Sequence, residues 1–171
     1  MHVLVATDGT LDPEEATRFA TALAGADGTI TVLTVVEINR HLLRDLRELF
    51  GERFVDAPRQ DAEYVGVTHN AGSPVGSDWP GDDEMLARYL SDQKELRTGP
   101  LAAALTAGGV SPDVLVVEGD AAPVIVATAN EIGADVICVG SHGRGLFDGF
   151  LGSTSTKLAR RAPVPILIVR S

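Results

Sequence analysis

Cysteine pairs are missing from this chain. Cys138 stands alone among 171 residues, so no internal disulfide can form and a packed core must hold the fold together. Within Asp135-Val136-Ile137-Cys138-Val139 the thiol reads as a small buried hydrophobe. Long apolar runs are missing too. No stretch approaches the roughly 18 uninterrupted apolar residues of a membrane span. Positive charge is scarce, with 14 Lys+Arg against 24 Asp+Glu and a net charge of −10, which disfavours a nucleic acid or an anionic membrane surface as partner. The histidines, His2, His41, His69 and His142, are scattered, and no cluster has metal-ligand spacing. Several phosphate and nucleophile signatures are also absent. There is no G-x-x-x-x-G-K-[ST] loop. No G-x-G-x-x-G follows the first apolar run, and no G-x-S-x-G elbow appears.

What is present suits one globular domain over residues 1–171. Apolar residues make up 44% of the chain and charged residues 22%. The opening Met1-His2-Val3-Leu4-Val5-Ala6-Thr7-Asp8 reads as a strand rather than a signal peptide, which points to the cytoplasm. Asp12, Pro13 and Glu15 form a helix start, and Ala16, Phe19, Ala20, Leu23 and Ala24 recur at helical spacing up to Gly25. A strand is predicted over Thr29–Val36 and a helix over 38–56. Residues 57–81, with three prolines and four glycines, read as a long inserted loop in which Trp79 and Tyr64 form either a lid or a surface folded on its own domain. Helical spacing returns from Met85 to Leu96, with a kink or break expected at Gly99-Pro100 before Leu101–Leu105 resume it. Val114–Val117, Val136–Val139 and Ile166–Val169 are further strands. A helix capped by Asp120 runs to Ile132, and another spans 153–161. Alternating strands and helices imply an α/β fold with a doubly wound parallel sheet. Ligands of such sheets bind beyond the carboxyl ends of the strands, at the switch point, which directs attention to the turns after Ala6, Val36 and Val139; Thr7-Asp8 follow the first strand and Val35 stands near the end of the second.

The turn after the fourth strand is the most distinctive feature. Gly140, Gly143, Gly145, Gly149 and Gly152 fall within thirteen residues and lead into a helix at Gly152-Ser153-Thr154. Glycine lets a ligand approach backbone N–H groups, and the first turn of a helix offers free N–H groups and a positive dipole end to phosphate. Arg144 sits inside this turn, within reach of a phosphate. Lys157, Arg160 and Arg161 are expected nearer the helix C-terminus, where the dipole favours cations without any ligand. Charge follows the same division: residues 1–139 hold 9 Lys+Arg and 23 Asp+Glu, whereas residues 140–171 hold 5 and 1. The turn thus reads either as a phosphate cradle or as a flexible connector whose Ser153 caps a helix. Asp8 either holds ribose hydroxyls or a phosphate-bound cation, or caps its own turn. Val35 is either an apolar wall for an adenine ring or ordinary core. His142 is either an acid or base, or a hydrogen-bonding loop residue.

These residues together resemble the universal stress protein family, in its nucleotide-binding branch. The resemblance rests on Val3-Leu4-Val5-Ala6-Thr7-Asp8-Gly9-Thr10, Thr31–Val36, Gly119-Asp120, Ala134–Arg144, Gly152-Ser153-Thr154 and Ala162–Val169. It covers about residues 1–37 and 100–171. The family's pattern G-x2-G-x9-G-[ST] is met at Gly140, Gly143 and Gly152-Ser153, with a spacer of eight residues, Arg144–Leu151, in place of nine. The resemblance implies a five-stranded parallel sheet in order 3-2-1-4-5, of the adenine nucleotide alpha-hydrolase-like (Rossmann-like) type. It implies adenine near Val35 and the end of the first strand, ribose near Asp8 and Gly140, and phosphates on Gly143, Gly152, Ser153 and Thr154. It also implies a homodimer through Ile166–Val169.

The sequence therefore supports an ATP-binding (or AMP- or ADP-binding) stress-response regulator, with Mg²⁺ accompanying a triphosphate. Two alternatives stand beside it: a slow metal-dependent ATPase, for which no motif places a base, and a nucleotide-free dimeric module working through the 57–81 insertion.

Overall fold

The computed structural model describes residues 1–38, 82–141 and 151–170. Five strands, β1 (His2–Ala6), β2 (Thr29–Val36), β3 (Asp113–Glu118), β4 (Val136–Gly140) and β5 (Ile166–Val169), form one sheet. All neighbouring pairs are parallel and the order is β3-β2-β1-β4-β5. Four helices alternate with them among the described residues: α1 (Pro13–Ala24), α2 (Asp82–Ala107), α3 (Ala121–Glu131) and α4 (Ser153–Arg161). This is the doubly wound α/β architecture that the strand–helix alternation implied. The chain divides into two units, Met1–Ile38 with Leu90–Ser171, and Asn39–Tyr89. The sheet lies entirely within the first. Of the second, residues 82–89 are described, as the opening turns of α2. The helix expected over 38–56 and the loop expected over 57–81 lie outside the described residues.

The two-residue period of β1 sorts its side chains between two cores. Val3 and Val5 pack with Ala16 and Ala20 of α1 and with Leu101 and Leu105 of α2. Leu4 and Ala6 pack on the other face with Ala122, Ile125 and Ala129 of α3 and Leu158 of α4. Val3, Leu4 and Val5 are inaccessible to solvent. A central parallel strand is covered on both faces, which is why its sequence is uninterrupted and apolar. Each such side chain contributes about 1.5–3 kcal/mol. Cys138 lies in the first of these cores, fully buried.

The helix starts show how sequence chooses between capping and other uses of a carboxylate. Asp12 precedes α1, and its Oδ1 accepts the Glu15 N–H at 2.7 Å, with Pro13 in the first helical position. Asp120 stands before α3 in the same way, and its backbone carbonyl accepts the Val124 N–H at 3.1 Å. Its carboxylate nevertheless makes no cap bond. The third residue of α3, the usual donor to a cap side chain, is Pro123, which has no N–H. The expectation that Asp120 caps its helix is therefore met by its backbone alone.

Of the kink or break expected at Gly99-Pro100, the break does not occur, since α2 runs through both residues. Pro100 forfeits its bond to the Leu96 carbonyl. The turns on either side are held by other means. The Thr98 hydroxyl donates to the Lys94 carbonyl at 2.6 Å, and Leu101 and Leu105 are buried on the sheet.

Candidate functional site

The strand order places a switch point between β1 and β4. The chain leaves β1 through α1 toward β2, and it reaches β4 through α3 from the far edge of the sheet. The carboxyl ends of β1 and β4 therefore open a crevice that neither connection covers. A cavity of about 220 Å³ lies there.

Nine of the site residues singled out in the sequence line this cavity. Ala6, Thr7 and Asp8 come from the end of β1, Val35 from β2, and Val139 and Gly140 from β4. Gly152, Ser153 and Thr154 come from the start of α4. The other three, His142, Gly143 and Arg144, lie outside the described residues. Leu33, Ala121, Ile125 and Ser155 line the same cavity and were not anticipated. Leu33 was accessible to sequence reasoning, because it is two residues from Val35 on one face of a strand. Ala121 and Ile125 share one face of α3 at i, i+4 spacing, directly after β3.

On the β1 side the turn is built from its own side chains. Thr7 N–H donates to the Leu33 carbonyl at 2.9 Å, carrying the pairing one residue past the strand. Thr7 Oγ1 accepts the Gly9 N–H at 3.0 Å. Asp8 Oδ1 accepts both the Thr10 N–H, at 3.1 Å, and the Thr10 hydroxyl, at 2.6 Å. Asp8 thus secures its own turn with one oxygen while it borders the cavity. Gly9 has φ +91°, and a Cβ there would stand 3.2 Å from the Cα of Arg97. Both facts require glycine. Arg97 itself reaches the end of β2: its Nη1 donates to the Val35 carbonyl at 3.1 Å and its Nε to Gln93 Oε1 at 2.9 Å. This link joins residues 62 apart in sequence, and no local pattern announces it.

On the β4 side the two ends of the glycine-rich segment are fastened together. Gly152 N–H donates to the Ser141 carbonyl at 2.8 Å, and Ser141 N–H donates to Val169 of β5 at 2.8 Å. Ser155 Oγ, on a residue 3% exposed, donates to the Gly140 carbonyl at 2.7 Å. The shorter spacer of this chain still returns Gly152, Ser153 and Thr154 to the same cavity as Gly140.

The residue that caps α4 is Gly152, not Ser153. It makes no side-chain cap bond, and the Thr156 N–H donates to its carbonyl at 2.9 Å. Ser153 is the first helical residue, so the N–H groups of Ser153, Thr154 and Ser155 are the orphan donors of this helix end. The dipole makes them attractive to anions. Lys157 also differs from expectation. The cations of the last turn are Arg160 and Arg161, whereas Lys157 is mid-helix with its Nζ 3.4 Å from Asp120 Oδ2. Among the described residues no group of three or more His, Cys, Asp or Glu side chains could hold a metal ion. No described helix is long and apolar enough to cross a membrane.

The sheet order and this crevice agree with one family of proteins. The universal stress protein family model matches residues 1–170. The chain belongs to the universal stress protein family. Relatives of this universal stress protein include stress response protein NhaX of Bacillus subtilis, 28% identical over 99% of this chain and 97% of the relative. Another, from Thermus aquaticus, is 38% identical over 53% of this chain and 65% of its own length. Among solved structures, a universal stress protein from Archaeoglobus fulgidus has a TM-score of 0.56 at 16% identity, covering 98% of this chain and 97% of its own. A universal stress protein in complex with cAMP has a TM-score of 0.57 at 20% identity, covering 99% and 96%. At these identities the structural likeness establishes the shared fold.

Proposed function

We propose that the cavity binds an adenine nucleotide, and that the protein is a nucleotide-responsive regulator in the stress response rather than a catalyst. One observation carries this reading. A single cavity joins an apolar wall, a carboxylate and a helix N-terminus without a side-chain cap. Leu33, Val35 and Ile125 offer the base an apolar surface. Asp8, with Oδ1 engaged by Thr10, keeps Oδ2 for ribose hydroxyls. Ser153, Thr154 and the first-turn N–H groups of α4 hold phosphate oxygens. Gly143, Arg144 and His142 are proposed as further nucleotide-binding residues on the sequence alone. Mg²⁺ bound with a triphosphate takes most of its ligands from phosphate and water, which leaves Asp8 Oδ2 to the ribose. Membership of the family and the cAMP complex of a structural relative support the choice of ligand class.

The test is calorimetry and thermal melting of the full chain with ATP, ADP and AMP. Binding should appear as heat and as a raised melting temperature. Absence of both for all three nucleotides ends the proposal. Gly152→Val sets a branched side chain at a buried cavity wall. It should abolish binding while the melt stays cooperative.

A further inference from the structure

We infer that Lys157 is a movable phosphate ligand of this site, which exchanges its ion pair with Asp120 for the phosphate. The inference rests on the nucleotide reading above. Asp120 adjoins Ala121, which lines the cavity, and Lys157 is one helical turn beyond Ser153, which also lines it. Side chains on a helix lean toward its N-terminus, so Lys157 extends back over the first turn of α4. Its ammonium group lies 3.4 Å from Asp120 Oδ2, beside the start of α3.

The pair exists because of a missing donor. Pro123 removes one of the two N–H groups that the Asp120 carboxylate could cap, and that carboxylate makes no cap bond. A spare negative charge is left at the rim of a cavity whose opposite element, α4, attracts anions. Lys157 neutralises it at little cost. The two side chains are 48% and 61% exposed, and an ion pair that open is weak. Phosphate on the first turn of α4 is a stronger partner, because it adds charge-assisted hydrogen bonds with several acceptor oxygens. An arriving phosphate should therefore draw Lys157 off Asp120.

Calorimetric titration of the full chain with ATP, and with adenosine as a competitor, tests this in the wild type, Lys157→Gln, Lys157→Arg, Asp120→Asn and the Asp120→Asn/Lys157→Gln double variant. Lys157→Gln should weaken ATP about tenfold, the effect of one such contact, and leave adenosine within about twofold on that scale. Lys157→Arg should retain ATP affinity. Asp120→Asn should tighten ATP binding, and Lys157→Gln should still cost about tenfold in that background. Unchanged ATP affinity in Lys157→Gln overturns the inference, as does an equal loss for adenosine. Loss of the Lys157 effect in the Asp120→Asn background also overturns it, since lysine would then do no more than cancel Asp120. A wild type that binds neither compound overturns the nucleotide reading itself, a result separable from the others.

Discussion

Ser155→Ala removes one hydroxyl from a buried position and tests whether the end of β4 and the start of α4 act as one unit. In the native chain that hydroxyl donates to the Gly140 carbonyl at 2.7 Å with 3% of the residue exposed. A neutral hydrogen bond of this kind contributes about 1 kcal/mol, and up to about 2 kcal/mol where its part-buried partner is left short of a donor. Alanine recovers a few tenths through its helix propensity. The expected net loss is thus about 1–2 kcal/mol, which for a chain of this size lowers the melting temperature by about 2–8 °C. Nucleotide affinity should fall as well, because Gly140 and the donors of α4 would no longer be held at fixed separation. Urea denaturation with an unchanged m value, followed by calorimetry on the folded variant, measures both effects. A variant with wild-type stability and wild-type affinity refutes the coupling.

Three further outcomes are expected. Gly9→Ala combines a positive φ with a Cβ 3.2 Å from the Arg97 Cα. It should destabilise by about 1–2 kcal/mol from the backbone conformation alone, read by chemical denaturation; a neutral effect would show that α2 yields there. Burial pushes the Cys138 thiol up to about 12, so the reactive thiolate is suppressed at every pH below that value. The native protein should resist alkylation at pH 8 and react fully in denaturant, and rapid native labelling would contradict the packing of β4. At β5, Pro165 and Val169 turn their carbonyls to β4 and its extension, so the intervening Ile168 presents its N–H to the open edge of the sheet. If a second copy pairs there, sedimentation should show a wild-type dimer and an Ile168→Pro monomer with an intact melt; a monomeric wild type removes the pairing.

Strand positions were legible because every strand is a short apolar run closed by glycine, proline or an acid. Burial on both faces produces that pattern in the inner strands, while β3 and β5 at the edges are mostly half-buried. The β1–β4 crevice was legible through the family resemblance, because strand–helix alternation leaves the strand order open and the resemblance implies 3-2-1-4-5. The errors arose where one residue's effect depends on another distant in sequence. A kink or break is expected at Pro100, and the break is avoided because Leu101 and Leu105 anchor the turns beyond it on the sheet. Lys157 was assigned to a helix dipole because Asp120, 37 residues away, is brought beside it only by the packing of α3 on α4. The Arg97 link to Val35 has the same long-range character.

The hydrogen bond between Gly152 and Ser141 has a consequence for how such a site is revised over time. It clasps the glycine-rich segment at its base, and Ser141 is in turn tied to β5. Residues between the clasp points can be added or removed with only a slow, logarithmic entropic cost, and without displacing the sheet or α4. The eight-residue spacer is then one setting of an adjustable part. Exchanging the segment between relatives should retune ligand choice as a module, leaving the frame that bears it untouched.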